Sequence, residues 1–151
     1  MHQVRSKPRS RRRARTLTAI ALAAVLALSA VAVPMALARG SKTVAGEAHA
    51  ASLHATVLTN TKGLTLYTLS GEKNGKFLCT GSCLSLWPPL VVAAGTKPKG
   101  PVKLGTIKRP EGKTQVTYKG MPVYTFSGDS RKGEANGEGL KDVGVWHAVT
   151  P

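Results

Sequence analysis

The sequence predicts an all-β fold, a small domain of two tandem β repeats with hairpins, preceded by an apolar N-terminal signal or anchor helix. Three observations predict this. A segment of 11 residues that begins at Lys62 recurs at Lys119. Short runs rich in Val, Thr and Tyr alternate with Gly and Pro, which is typical of strands joined by tight turns. After residue 38 no stretch keeps the i, i+3, i+4, i+7 apolar spacing of an amphipathic helix.

The recurring segment is the strongest signal. Six of its 11 positions are identical, and Trp87 and Trp146 follow the two copies at nearly the same distance. Fixed-period self-similarity is the signature of repeat architectures. We therefore predict a two-repeat β domain over 55–150, with repeat 1 at 55–92, a linker at 93–101 and repeat 2 at 102–150.

Strands and turns can be placed inside the repeats. In repeat 2 the strands 115–118 and 121–126 flank Lys119-Gly120, where Gly120 can supply the positive φ of a tight turn. Another hairpin is predicted from the strand at 102–108 and the Pro- and Gly-containing turn at 109–112. A last strand is expected in each copy, at 86–92 and 145–149.

The N-terminal 38 residues have the three parts of an export signal. Seven of the 22 Lys and Arg fall within the first 15 residues, and residues 16–38 carry no charge. Ala36 and Ala38 form an A-x-A cleavage site. A signal peptide is favoured over an N-terminal anchor, although residues 16–38 are long enough to span a bilayer. Under either interpretation the domain lies outside the cytoplasm, secreted or held on the outer face of the membrane, and residues 39–54 form a flexible spacer.

The positive charge divides unevenly. From Arg39 onward 15 basic residues face 7 acidic ones, so that +8 of the total +15 belongs to the exported part. These bases are scattered and mostly Lys, without an Arg-rich stripe interleaved with aromatics. We expect a solvated basic surface that tolerates anionic envelope polymers, no specific nucleic acid, and membrane contact through residues 16–38 only.

Cys79 and Cys83 are the only cysteines. In an oxidising compartment such a close pair is expected to form a local disulfide. The alternative is a redox or soft-metal site that uses Cys79, Cys83 and His147, although two thiolates alone do not complete a metal site.

The repeated motif offers a second set of candidates, listed here: Tyr67, Leu69, Glu72, Tyr124, Phe126 and Asp129. In the structural interpretation, the aromatic residues of the motif pack in the core together with Trp87 and Trp146. The acidic residues then cap the turns that follow them. The functional interpretation is a pair of symmetric acid–phenol sites for a cation or sugar. An oxygen-rich loop around Glu134, Asn136 and Glu138 is an incomplete match to a calcium loop.

These motifs resemble the Tyr-x-(Phe/Trp/Tyr)-x-x-Asp motif of a bacterial secreted-repeat family, also described as predicted lipoproteins. The Cys79–Cys83 pair and the surroundings of Trp87 and Trp146 look like further landmarks of that family, and the resemblance covers about 55–150. It implies a secreted protein and assigns no activity, because the family is of unknown function. No Cys directly follows the apolar segment, so the lipid anchor of a lipoprotein is not expected.

The sequence therefore predicts a secreted or envelope-attached binding or structural repeat protein that is not an enzyme and has no cofactor. Its partner is an envelope component or small ligand of unknown identity. The alternative function is copper or haem handling, or redox chemistry, through Cys79, Cys83 and His147.

Overall fold

The computed structural model describes residues 40–151. The predicted signal segment 1–38, with Ala36 and Ala38, lies outside the described residues. Within residues 40–151 no helix is long and apolar enough to cross a membrane.

Strands dominate the described chain, which confirms the all-β prediction. In chain order they are β1 (Ser41–Thr43), β2 (Ala45–Ala50), β3 (Ala55–Asn60), β4 (Tyr67–Leu69), β5 (Val91–Val92), β6 (Lys97–Lys99), β7 (Leu104–Lys108), β8 (Thr114–Tyr118), β9 (Met121–Pro122) and β10 (Trp146–Ala148). The helical elements are one short helix, α1 (Cys83–Leu86), and a 3-10 turn at Ala51–Leu53.

Each repeat begins with an antiparallel hairpin. In repeat 1, β2 pairs with β3, and in repeat 2, β7 pairs with β8. The Ala45–Asn60 pair of the first hairpin corresponds to the Leu104–Tyr118 pair of the second. The two hairpins therefore have equivalent positions in their repeats.

Residues 39–54 were predicted to form a flexible spacer, but much of this segment forms strands, including one strand of the first hairpin. Residues 41–43 pair in parallel with β6, inside the segment predicted as a linker, and β2 is the outer strand of the repeat 1 hairpin. Repeat 1 therefore starts before residue 55. The side chains of Ala48 and Ala50 are buried on one face of β2, and that of Ala45 is buried on the other. Small residues alternating with Gly46 give little contrast in hydropathy, so the period of two was not recognised.

Each hairpin is joined to the last strand segment of the other repeat through a triangle of backbone hydrogen bonds. At the first hairpin, Leu66 N–H donates to the Leu58 carbonyl, Leu58 to Val149 of repeat 2, and Val149 back to Leu66, each at 2.8 Å. At the second hairpin the same cycle runs through Val123, Val116 and Leu90 of repeat 1, in that order, at 2.8–3.1 Å. These residues belong to one aliphatic core cluster, so the two triangles pack into a single core.

The tight turn predicted at Lys119-Gly120 is present, with φ of 48° and 79°, and it joins β8 to β9. The last strand of repeat 1 is shorter than the predicted 86–92, because α1 extends to Leu86 and only Val91–Val92 pair as a strand. Consecutive prolines follow Trp87, and proline lacks the N–H that a ladder requires.

Candidate functional site

The two motif tyrosines meet at the centre of the domain. Tyr67 N–H donates to the Tyr124 carbonyl at 2.8 Å, and Tyr124 N–H donates back at 2.9 Å. Both side chains are fully buried. The repeated motif thus pairs with its own copy across an antiparallel bridge.

Each tyrosine is bound by the acid of the other repeat. The Tyr67 hydroxyl donates to Asp129 Oδ2 at 2.6 Å, and the Tyr124 hydroxyl donates to Glu72 Oε2 at 2.8 Å. Both carboxylates are also nearly fully buried, at 6% and 1% exposure. The two motifs are therefore interlocked by a reciprocal exchange, which we call the crossed Tyr–acid pairs.

The second oxygen of each acid organises a loop of its own repeat. Glu72 Oε1 accepts from the backbone N–H groups of Leu78 and Cys79, at 2.6 and 2.7 Å. Asp129 Oδ1 accepts from Asn136 N–H at 2.9 Å. Each acid thus caps a loop with one oxygen and holds the opposite tyrosine with the other.

Burial governs the ionisation of these groups. Desolvation, reinforced by the adjacent carboxylate, raises the pKa of Tyr67 and Tyr124 well above the ordinary phenol value. Desolvation also raises the pKa of Asp129, although its hydrogen bonds from Tyr67 and Asn136 act in the opposite direction. The phenols remain protonated donors at neutral pH, as the crossed pairs require.

Arg109 was placed in a turn by the sequence, yet its side chain is fully buried beside Tyr124. Its Nη1 donates to Gln115 Oε1 and to the Tyr124 hydroxyl, and its Nη2 donates to the Cys79 carbonyl at 2.9 Å. Burial alone would lower the pKa of Arg109, but hydrogen bonds to Glu111 and Tyr124 raise it. The guanidinium therefore ties the repeat 2 turn to the repeat 1 loop.

Trp87 and Trp146 stack face to face at the same centre. Their ring centroids are 3.7 Å apart and their planes differ by 9°. Each indole also meets the tyrosine of its own repeat edge-on, at 5.4 and 5.2 Å. Leu69 is fully buried in this cluster and Phe126 packs against Trp87, so the apolar and aromatic side chains of both motifs lie in one core cluster.

The predicted disulfide is present between Cys79 and Cys83, whose Cα atoms are 5.3 Å apart. His147 is exposed and its Nδ1 pairs with Glu138 Oε1 at 3.0 Å. Residues 40–151 contain no group of three His, Cys, Asp or Glu side chains placed to hold a metal ion. Both sulfurs are bonded to each other, so the structure does not bring Cys79, Cys83 and His147 together as a thiolate site.

The oxygen-rich loop is likewise committed to internal contacts. Glu134 accepts from Ser130 and Arg131, and its hydrogen bonds with the Ser130 backbone and Arg131 lower its pKa to about 2. Glu138 accepts from the Ala148 N–H at 2.6 Å as well as pairing with His147. These carboxylates point to different partners and do not converge on a common centre.

The crossed pairing can be measured by a double-mutant cycle. Tyr67→Phe removes a buried hydrogen bond to a carboxylate and is expected to lower the free energy of unfolding by about 2 kcal/mol. In the double variant with Asp129→Ala, the total loss of unfolding free energy should be smaller than the sum of the two single losses by about 1 kcal/mol or more. The reason is that both substitutions remove the same hydrogen bond. Urea unfolding of the single and double variants measures this coupling.

The matched control combines Tyr67→Phe with Glu72→Ala, the acid of the same repeat. Since Glu72 hydrogen-bonds Tyr124 and not Tyr67, these losses should add within about 0.5 kcal/mol. Stronger coupling of Tyr67 to Glu72 than to Asp129 would contradict the crossed arrangement.

Comparison with known proteins finds a match to a family model in the C-terminal part of the chain. Residues 105–150 match the family model of a secreted repeat of unknown function. This confirms the resemblance predicted from the motifs, for the segment that contains most of repeat 2. The family is described as secreted, which supports an extracellular location for the protein. No curated protein and no solved structure matches the chain significantly.

Proposed function

Starting from the match of residues 105–150 to a secreted repeat, we propose that the protein is a non-enzymatic module that binds an anionic component of the cell envelope. The binding surface is its exposed lysines. Cleavage after Ala38 releases the module, whereas an uncleaved 16–38 segment holds it at the membrane, and both place these lysines beside the envelope.

The distribution of charge carries this proposal. All seven acidic residues lie within residues 40–151, and six of them accept hydrogen bonds inside the domain; these are Glu72, Glu111, Asp129, Glu134, Glu138 and Asp142. The lysines of the same region are all exposed and none forms a salt bridge with another described residue; they are Lys42, Lys62, Lys73, Lys76, Lys97, Lys99, Lys103, Lys108, Lys113, Lys119, Lys132 and Lys141. The acids are used internally while the bases face solvent, which creates a positive surface available to a polyanion.

The burial of the motif residues supports a non-enzymatic role. Tyr67, Tyr124, Glu72 and Asp129 are each buried and bound to protein partners. The raised pKa of both phenols disfavours a tyrosinate nucleophile or base. These side chains stabilise the interface between the repeats and present no reactive atom to a substrate.

The proposal is tested by binding of the purified protein to dextran sulfate, with neutral dextran as the control. We expect retention by dextran sulfate at about 0.05 M salt and release at about 0.5 M, because screening shortens the reach of exposed charges. Neutral dextran should not bind at either salt concentration. Equal binding to both polymers, or binding insensitive to salt, would contradict an electrostatic function.

A further inference from the structure

We propose that two equivalent surface grooves, one in each repeat, together bind a single linear phosphate polymer. This inference rests on the proposed function and names its site and ligand class. Groove 1, of about 580 Å³, lies where β7 and β8 meet the Lys119-Gly120 turn. Groove 2, of about 380 Å³, lies where β2 and β3 meet the Lys62-Gly63 turn.

The grooves are related by the internal repeat. Gly105 faces Thr117 in the register of the second hairpin, and Gly46 faces Thr59 at the equivalent position of the first. A Cβ on Gly105 would lie 2.8 Å from Thr117 Oγ1, so a larger residue would crowd the hydroxyl. The grooves thus share a Gly–Thr pair at equivalent positions, and because Thr59 and Thr117 are buried, the exposed binding groups of each groove are its lysines.

Lysines from both sides border each groove. Lys103 and Lys119 line groove 1, and Lys119 Nζ lies 4.8 Å from the centroid of the Tyr118 ring. Lys62 and Lys132 line groove 2, together with Glu47. Both grooves therefore carry a net positive charge, and groove 1 is the more positive.

A basic strand ends beside residues of both grooves. A Cβ built on Gly100 would lie 3.0 Å from Ala45 Cβ and 3.1 Å from Leu104 Cδ1. Ala45 lines groove 2 and Leu104 lines groove 1, so the chain at Gly100 contacts a lining residue of each groove. The preceding strand, β6, exposes Lys97 and Lys99. A linear polyanion that occupies both grooves thus meets further positive charge near them.

The free basic residues of the grooves are lysines, which bind phosphate as compact point charges. The bidentate fork of arginine, which recognises carboxylate and phosphate alike, is not free to act there. The two arginines of residues 40–151 are both paired with acids of the domain, Arg109 with Glu111 and Arg131 with Glu134. Tyr118 is only 8% exposed, so groove 1 presents no open aromatic face for stacking a nucleobase.

Binding of long-chain polyphosphate to the purified protein tests this inference. Tripolyphosphate, a chain of three phosphates proposed to fill one groove, is the short-chain probe, and poly-glutamate is the carboxylate polymer. Long-chain polyphosphate should bind about 100-fold or more tighter than tripolyphosphate, because the second groove is then filled intramolecularly. The variants are Lys103→Gln/Lys119→Gln in groove 1 and Lys62→Gln/Lys132→Gln in groove 2. Each double variant should weaken binding of long-chain polyphosphate about tenfold or more. Tripolyphosphate should still bind to each of them at the groove that is unchanged.

The matched control is Lys108→Gln/Lys113→Gln, which removes the same charge at the far end of the β7–β8 hairpin, about 13 Å along the strand. Equal losses in the control and groove variants would overturn the grooves as the site while leaving the proposed anionic function intact. Equal binding of poly-glutamate would overturn the choice of phosphate, and equal affinity for both polyphosphate lengths would overturn joint binding. Absence of binding to every polyanion, dextran sulfate included, would overturn the proposed function itself.

Discussion

Replacing Trp146 by alanine is expected to lower the free energy of unfolding by about 4 kcal/mol, the largest loss of any single change considered. The indole is fully buried, stacks on Trp87 at 3.7 Å and meets Tyr124 edge-on. Its Nε1 also donates to Asp142. Because a small domain is stable by about 5–15 kcal/mol, this loss is a large fraction of the total stability. Urea unfolding followed by circular dichroism measures the loss.

Two further variants show whether stacking is the cause. Trp146→Phe keeps an aromatic ring against Trp87 and should retain more than half of the lost stability. Leu86→Ala truncates a side chain that is 47% exposed and should cost less than about 1 kcal/mol. A Trp146→Ala protein with the unfolding midpoint of the wild type would show that the stacked pair does not hold the repeats together.

Arg109→Leu is expected to cost about 3 kcal/mol, although it replaces a charged side chain by an apolar one. Leucine matches part of the buried volume but leaves Gln115 Oε1 and the Cys79 carbonyl without their donor. Unpaired acceptors in the core cost free energy that burial of one leucine does not offset. Thermal and urea unfolding should both report the loss.

The same substitution at an exposed arginine is the control. Arg131 forms a salt bridge with Glu134 on the surface, and Arg131→Leu should cost less than about 1 kcal/mol. Arg109→Lys should lie between the two, because an ammonium keeps the charge and cannot reach all the acceptors at once. If Arg109→Leu proves as mild as Arg131→Leu, the buried guanidinium does not organise the core.

The sequence predicted those features that depend on local chemistry or on direct self-similarity. The all-β fold, the Lys119-Gly120 turn and the Cys79–Cys83 disulfide all belong to this class. The repeated tyrosines and tryptophans were identified as a core, because identical aromatic residues at a fixed offset indicate equivalent positions.

Other features depend on tertiary contacts that no local pattern encodes. A repeated Tyr and acid do not reveal whether each tyrosine binds the acid of its own copy or that of the other, and here it binds the other. Arg109 lies in a segment with an ordinary turn sequence. Its side chain is buried because distant residues supply hydrogen-bond acceptors, such as the Cys79 carbonyl. The strand β2 was missed because Ala45, Ala48 and Ala50 are small, whereas its equivalent β7 precedes a Pro- and Gly-containing turn that indicated a hairpin.

The crossed Tyr–acid pairs also bear on how such a chain could arise. Every contact of Tyr67 with Asp129 is answered by an equivalent contact of Tyr124 with Glu72, and the backbone bridge between the tyrosines is mutual. Such reciprocity is the property of an isologous interface between identical subunits. The two-repeat chain is thus the covalent equivalent of a homodimer, as expected from duplication and fusion of a gene for a self-associating half. Once fused, the halves were free to diverge, and Arg109 and the disulfide each occur in one half only.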